Sequence, residues 1–490
     1  MYLGIDIGTS ELKAVVIDDS GQIIADSHVA LTVQRPHLYW SEQSPELWWT
    51  ATHEVIGALR QKMADKWGSI RAIGLSGQMH GAVLLGKNHQ VLRPCILWND
   101  TRSAEECREL TEAHPEFHTI SGNLVMPGFT APKLVWVAKH EPEIFKQIAQ
   151  VLLPKDYLRW MLTGEFVSDV SDSAGTLWLD VERRDWSEKL LLACGLRREQ
   201  MPRLVEGSEA SGVLKPELAH AWGLNSQVVV AGGGGDNAAS AVGVGAVNPG
   251  DAFISLGTSG VLFVVNEKFR PNALAGVHAF CHALPGRWHQ MSVMLSAASC
   301  LRWLCQTLSV TEPQLLAEVE KMSEAEQRRA PIFLPYLSGE RTPHNDPLAF
   351  GSFYGLRNET HRAALGYAVL EGVAFGLADG LEVLQHSGSV VNECSLTGGG
   401  ARSHFWGQLI ADTLNIPIVT HPASSSGALG AARLGWLSVG GDEQQICQKP
   451  IVEHRFTPDK QKHLELKKRQ GLFRLLYQQQ KEARELLVLE

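Results

Sequence analysis

Leu3-Gly4-Ile5-Asp6-Ile7-Gly8-Thr9-Ser10, at the start of the chain, alternates apolar residues with Gly, Asp and Gly before breaking into a turn. Period-two alternation predicts a strand with Leu3, Ile5 and Ile7 on one face and Gly4, Asp6 and Gly8 on the other. After the Gly8-Thr9-Ser10 turn comes a second run, Leu12 to Asp18. Ser20-Gly21 then marks a turn before a third strand over Gln22 to Val33. The chain therefore opens on a β-meander. The pattern returns halfway along: Ala252 to Leu256 reads as a strand, Gly257-Thr258-Ser259-Gly260 as a turn, and Val261 to Val265 as a second strand. Apolar runs flank both turns, which favours duplication over a chance three-residue echo. Two related domains are predicted, divided near Asn248-Pro249-Gly250.

Outside these meanders, strands alternate with helices. Ile70 to Leu75 and Val228 to Ala231 are short apolar strands, and Pro45 to Leu59 and Ala363 to Gln385 carry helical periodicity. That alternation predicts an α/β architecture. From Pro458 onward, Leu464, Leu466, Leu472, Phe473, Leu475 and Leu476 describe a helix that packs back on the body.

With 490 residues, 44% of them hydrophobic and 20% charged, the chain has material for two full-sized cores. A net charge of −9 announces no basic surface, so neither nucleic acid nor an anionic membrane is an expected partner. The eight cysteines include no C-x-x-C pair and lie partly in apolar runs, which predicts reduced core thiols rather than a disulfide framework. Asp6 interrupts the N-terminus before any leader-like apolar run, and no stretch is expected to reach membrane-spanning length. The expected location is the cytoplasm.

Three loops are candidates for chemistry. Asp6 shares its strand face with glycines, so something is expected to approach the backbone closely there. A Mg²⁺ site fits this carboxylate, because Mg²⁺ prefers oxygen ligands. The neighbouring Thr9 and Ser10 hydroxyls and glycine N–H groups suit phosphate oxygens. The plain alternative is an edge-strand Asp in an ordinary hairpin. In the second loop, Val228 to Ala231 runs into Gly232-Gly233-Gly234-Gly235, then Asp236-Asn237 and a helix of small residues. Asp236 reads as a general base, or more plainly as that helix's N-cap. In the third, Thr397-Gly398-Gly399-Gly400-Ala401 ends a strand before a helix beginning near Ser403, and would let adenine and ribose approach the backbone. Neither the P-loop nor the dinucleotide fingerprint is present. Ser76 to Gly81 and Ile96 to Arg102 are dense in donors and acceptors that suit a sugar. His80 alone is unremarkable as a buried histidine, though an imidazole can donate to one hydroxyl and accept from another. No zinc-ligand spacing occurs among the histidines and cysteines.

Together these motifs resemble the FGGY carbohydrate kinases of the actin-like ATPase superfamily, over nearly the whole chain. Asp6 to Ser10 is similar to the first phosphate motif, Ser255 to Ser259 to the second, and Thr397 to Ala401 to the adenosine motif. Gly128 to Trp136 and Gly351 to Glu371 are similar to the family signatures. Ala364 stands where a polar residue is usual, at a position expected on a helix surface. Gly77 to Gly81, Trp98-Asn99-Asp100, Leu153 to Tyr157 and Ser338 to Pro343 are most similar to bacterial xylulokinases. One departure stands out: the family usually has three glycines before its catalytic aspartate, and here there are four.

The resemblance implies two actin-like (ribonuclease H-like) domains facing each other across an active-site cleft. It divides the chain into a sugar side over residues 1–247, a nucleotide side over 248–440, and a helical extension, 441–490, packed on the body. It implies ATP and Mg²⁺, with transfer of the γ-phosphoryl group to the terminal hydroxyl of D-xylulose. Met79, His80, Asp236 and Asn237 would bind the sugar, with Asn99 beside them, and Asp236 would be the base. Asp6 and Asp236 would hold the metal. Gly8, Thr9, Ser10, Gly257, Thr258, Ser259, Gly398, Gly399, Gly400 and Ala401 would bind the nucleotide. A homodimer is the assembly to expect. The nearest rival is an FGGY kinase for another ketose or polyol. A sugar-binding regulator without turnover is a second, against which the intact Asp6 and Asp236 weigh. A force-generating or chaperone ATPase of the same superfamily is a third, and it would have no use for the Gln78-Met79-His80 segment.

Overall fold

The alternation at the N-terminus separates two buried faces, because Tyr2, Leu3, Ile5 and Ile7 are all inaccessible. A computed structural model describes residues 1–422 and 426–487. Strands β1 (Tyr2–Ile7), β2 (Glu11–Ile17), β3 (Ile23–Ala30), β4 (Ala72–Gly77), β5 (Ala210–Val213), β6 (Val229–Ala231) and β7 (Gly234–Gly235) form the first sheet. Its order is β5-β6-β4-β1-β2-β3, with β7 also paired to β4. The second sheet comprises β8 (Ala252–Leu256), β9 (Gly260–Asn266), β10 (His278–Cys281), β11 (Trp288–Met294), β12 (Cys394–Thr397), β13 (Ile418–Thr420) and β14 (His454–Phe456), ordered β10-β11-β9-β8-β12-β13-β14.

The two sheets repeat one scheme. β1 pairs antiparallel with β2 and parallel with β4, as β8 pairs antiparallel with β9 and parallel with β12. In each the parallel series runs one strand further, to β6 and to β13, and ends on an antiparallel edge, β5 or β14. β14 falls within residues 441–490, so that stretch supplies a sheet edge as well as a helix.

Around the sheets lie α1 (Pro45–Met63), α2 (Thr130–His140), α3 (Pro154–Thr163), α4 (Val170–Ala174), α5 (Asp236–Gly243), α6 (Ala298–Leu308), α7 (Arg362–His386), α8 (His404–Leu414), α9 (Ser426–Leu437) and α10 (Lys460–Leu487). On one face of the first sheet, Leu3, Ile5 and Ile7 pack with Trp48, Val55 and Leu59 of α1. On the other face lies α9, from the second half of the chain. A Cβ at Gly4 would fall 2.0 Å from the Ala428 carbonyl oxygen, and one at Gly74 would fall 1.7 Å from that of Ala431. The body expected to approach the glycine face is thus a helix backbone. A further core joins the halves, with Trp178 and Val181 packed among Phe253, Phe263 and Phe280 of the second sheet. All eight cysteines are buried free thiols.

Two expectations need correction. α7 has 25 residues and a mean hydropathy of 1.3 over its most apolar window, so a stretch long enough to span a membrane does exist. That window is 94% buried within the protein, and its apolarity reflects a core surrounded on all sides. Ala364, expected at a surface, is buried in the first turn of α7, where a polar side chain would lack water.

The terminal helix α10 buries Leu466, Phe473 and Tyr477, while Leu464, Leu472 and Leu475 remain substantially exposed. Polar anchors complete its seat. Arg469 grips Glu371 with two bonds of 2.7 Å, and Tyr477 donates to Asp346 at 2.9 Å. Arg484 and Tyr477 hold the Asp346 carboxyl down at about 2 despite partial burial. A depressed carboxylate contributes stability that is present above its unfolded pKa and lost as pH falls through the folded one. Melting curves between pH 5 and pH 2 should therefore show Asp346→Asn losing stability against wild type at the upper end and converging with it at the lower.

The backbone contact with α9 gives a second test. A Cβ at Gly430 would lie 1.7 Å from the Ala239 carbonyl oxygen, whereas one at the exposed Gly57 in α1 meets nothing within 4 Å. Gly430→Ala should destabilise by about 3 kcal/mol through overpacking. Gly57→Ala should stabilise by roughly 0.5–1 kcal/mol. Urea denaturation midpoints of the two variants check both signs.

Candidate active site

The site begins with strand register. Asp6 on β1 and Gly234 on β7 both pair with Ser76 on β4, so all three lie level at the C-terminal ends of parallel strands. Such ends are where open α/β sheets bind ligands. Asp236 follows directly after β7, which brings the two carboxylates to either side of β4. Burial raises the Asp6 carboxyl, whose Oδ1 is sealed from solvent without a hydrogen-bond partner. Burial and then the field of Asp6 push Asp236 up to about 6. Two neighbouring carboxylates in a poorly solvated place repel each other and favour a hard cation between oxygen ligands. Among the described residues, no three metal-ligating side chains gather at one point. That donor set fits Mg²⁺, which commonly takes one or two carboxylates and completes its shell from water and substrate phosphates.

The four glycines before Asp236 now have a geometric account. Val230 pairs with Ile73 and Gly234 with Ser76, four steps along one strand against three along the other. This is a one-residue β-bulge between β6 and β7, and the glycines form it just before Asp236. Gly233 has φ of +75°, and a Cβ on Gly232 would meet the Glu206 carbonyl oxygen at 2.2 Å. The helix-cap alternative for Asp236 fails: Gly235 is the N-cap of α5 and Asp236 its first residue. Asp236 Oδ1 accepts from Asn237 N at 2.7 Å and Asn237 Nδ2 at 3.1 Å.

Beside this arm lies the Gln78-Met79-His80 segment. A Cβ on Gly235 would meet Met79 Sδ at 2.9 Å, so Met79 lies directly against the arm. His80 has φ of +71° and places Nδ1 2.7 Å from the Gly175 carbonyl oxygen. A carbonyl only accepts, so Nδ1 carries the hydrogen and Nε2 is left as an acceptor. Burial lowers the ring to about 3 and keeps it neutral. The expectation that His80 both donates and accepts toward a sugar is corrected, because its donor is already engaged. Lys133 was not singled out from sequence. Its Nζ donates to the His80 carbonyl at 2.9 Å and the Gly128 carbonyl at 2.7 Å, pinning that left-handed backbone. Its signal was a lysine on the apolar face of a helix between Ala131 and Trp136. Asn99 Oδ1 is buried without a partner, while Asp100 binds Arg102 and the Ser41 N–H and acts within the loop.

The phosphate turns differ from expectation. Thr9 Oγ1 donates to Gln78 Oε1 at 3.0 Å and accepts from Trp98 Nε1 at 2.9 Å, so its proton is not available to an incoming phosphate. Gly8 N–H is bound to the Glu11 carbonyl and Gly257 N–H to that of Ser259. Ser10, Thr258 and Ser259 are exposed. On the second sheet Ser255 pairs with Thr397, so the Gly257 and Gly398 turns leave adjacent strand ends. Gly399 and Gly400, with Leu301 of α6, Pro313, Leu316 and His404, line a cavity of about 1230 Å³. Gly398 and Ala401 lie on a neighbouring hollow across the same turn.

A duplicated α/β fold with paired carboxylates in one half and a glycine-lined cavity in the other defines a class of phosphotransferase, and the comparisons agree. Residues 1–243 match the FGGY family of carbohydrate kinases, N-terminal domain, and residues 252–439 the C-terminal domain, so the chain belongs to this family. It is 51% identical to a xylulose kinase of Escherichia coli (strain K12), over 98% of this chain and 99% of the relative. It is 50% identical to a xylulose kinase of Klebsiella pneumoniae, over 94% and 95% of the two chains. Among solved structures, a xyloylose kinase from Brucella ovis superposes with a TM-score of 0.95 at 50% identity, covering 100% of both chains.

The paired carboxylates make a prediction of their own. Asp6→Asn removes the repulsion on Asp236 and should raise the melting temperature of metal-free protein. It should also shrink the stabilisation that Mg²⁺ with ADP gives the wild type. Thermal shift with and without EDTA reads both effects, and an unchanged Mg²⁺ response would remove Asp6 from the metal site.

Proposed function

We propose that the protein transfers the γ-phosphoryl group of ATP to the terminal hydroxyl of D-xylulose, giving D-xylulose 5-phosphate. One observation carries the chemistry: the half-buried Asp236 carboxylate at the head of α5, raised to about 6 by desolvation and by Asp6 beside it. A base whose pKa lies near neutrality serves proton transfer well. The choice of sugar is supported by the two relatives at half identity, both named xylulose kinases.

In the mechanism we propose, the sugar hydroxyl gives its proton to Asp236 as its oxygen attacks the γ-phosphorus, and the bond to the β-phosphate oxygen breaks. Asn237 holds the Asp236 carboxylate in place. Met79 forms an apolar wall, His80 Nε2 accepts from a sugar hydroxyl, and Asn99 offers its unpartnered carbonyl oxygen. Adenine lies in the cavity at Gly399 and Gly400, with Gly398 and Ala401 shaping the turn. The phosphates reach toward Ser10, Thr258 and Ser259, while Gly8, Thr9 and Gly257 shape the turns that present them. Asp6 and Asp236 would hold Mg²⁺, which when bound neutralises charge on the β- and γ-phosphate oxygens. Positioning and charge stabilisation are the main demands of phosphoryl transfer.

The proposed division keeps residues 1–247 as the sugar side, 248–440 as the nucleotide side and 441–490 as an extension on the body. α9 belongs to the second by sequence and lies against the first. A cytoplasmic location fits the eight free thiols, and a homodimer without nucleic acid or membrane partners is the proposed working state.

Asp236→Asn should retain fold and ATP binding and lose about a hundredfold or more in turnover. Near-wild-type turnover of the purified variant would sink the assignment. His80→Ala leaves one sugar oxygen unpaired, an effect of about 1–3 kcal/mol, or roughly tenfold or more in KM for D-xylulose. KM for ATP should hardly move. A lowered melting temperature with an unchanged sugar KM would retire His80 as a ligand.

A further inference from the structure

Beneath the glycine arm lies a sealed cluster of charges that the transfer chemistry does not use. Lys155, Asp156, Arg159, Asp169 and Asp172 are all 0% exposed. Lys155 Nζ lies 2.5 Å from Asp156 Oδ1, 2.8 Å from Asp169 Oδ1 and 3.2 Å from Asp172 Oδ2. Burial works against the Lys155 charge, but the three carboxylates outweigh it and hold the ammonium protonated. Burial drives Asp172 well above the usual carboxylate range, against the pull of Lys155. Such a cluster is a poor source of stability, since desolvation offsets the attraction and an apolar core does as well.

Its bonds lead to the arm. Arg159 donates through Nη1 to the Ala231 carbonyl and through Nη2 to the Gly232 carbonyl. Asp169 Oδ2 accepts from Ser171 N at 2.8 Å and from Ser171 Oγ at 2.5 Å. The Ser171 hydroxyl in turn accepts the N–H of Gly235 at 3.2 Å. The first bonds hold the entrance to the four glycines; the last holds the residue immediately before Asp236. A run of glycines has more backbone freedom than any other sequence, so its direction must be imposed from outside. Asp169 also caps α4, accepting from Asp172 N at 3.3 Å, but that cap does not require the further bond from the Gly235 N–H to the Ser171 hydroxyl.

We infer that Ser171, oriented by Asp169 and backed by Lys155 and Arg159, is a positioning residue that fixes where Asp236 presents its carboxylate. The inference rests on Asp236 being the base. In this arrangement the charges fix the hydroxyl, the hydroxyl fixes the Gly235 amide, and the amide sets the start of α5.

Single-turnover phosphoryl transfer from ATP to D-xylulose tests it, alongside KM for both substrates and the melting temperature. Ser171→Ala should slow transfer about tenfold, with both Michaelis constants within twofold of wild type and the melting temperature nearly unchanged. Transfer at the wild-type rate would overturn the inference, and so would a loss of stability with no loss of rate, since the cluster would then merely seal the core. Asp236→Asn measured in parallel separates the two readings. If Asp236→Asn abolishes transfer and Ser171→Ala does not slow it, only the positioning role fails. If Asp236→Asn transfers normally, the base assignment fails, and the inference with it.

Discussion

The two halves of the molecule are fastened where side chains are missing. Gly4 on β1, Gly74 on β4, Gly243 on α5 and Gly430 on α9 each place backbone against backbone, at separations no Cβ tolerates. α9 therefore lies directly on the strands that carry Asp6 and Ser76, and on the helix that Asp236 begins. Gly427 reaches the Asp6 carboxylate itself, since a Cβ there would stand 2.6 Å from Oδ2. Because α9 belongs by sequence to the second half of the chain, its seat sets the distance between what each half contributes. On the opposite flank the shared aromatic core around Trp178 and Phe263 makes a second fastening.

Electrostatics at the site is layered. In the upper layer are two carboxylates, and burial followed by the field of Asp6 raises Asp236 to about 6. Below them lies the Lys155 cluster, which reaches the arm above through the hydrogen bonds of Arg159 and Ser171.

Much of this was legible from residue order. The meander, its echo and the strand ends at Asp6 and Asp236 follow from alternation and glycine placement, which are local signals. The bulge within Gly232 to Gly235 was not, since it exists only relative to the register of β4. Nor was the occupation of Thr9, whose partners Gln78 and Trp98 are far away in sequence. Lys133 and the Lys155 cluster escaped for the same reason: a buried charge is recognisable only once its partners are assembled. Ala364 and α7 misled because a helix enclosed on every side has no polar face to betray its orientation.

The burial of the cysteines has a use in following the molecule in time. Cys95 lies in the first-sheet core, Cys107, Cys194 and Cys281 in the shared core, Cys300 and Cys394 in the second-sheet core, and Cys447 in a small cluster under α9. Burial pushes Cys95, Cys194, Cys281 and Cys447 up to about 12, so none offers a thiolate while its surroundings stay closed. Each of these four packing units consequently carries its own dormant reporter. Alkylation resolved by peptide mass turns these thiols into separate clocks for the opening of each unit. Whether ATP and sugar slow one clock or all of them tells how far a bound substrate's grip extends through the protein.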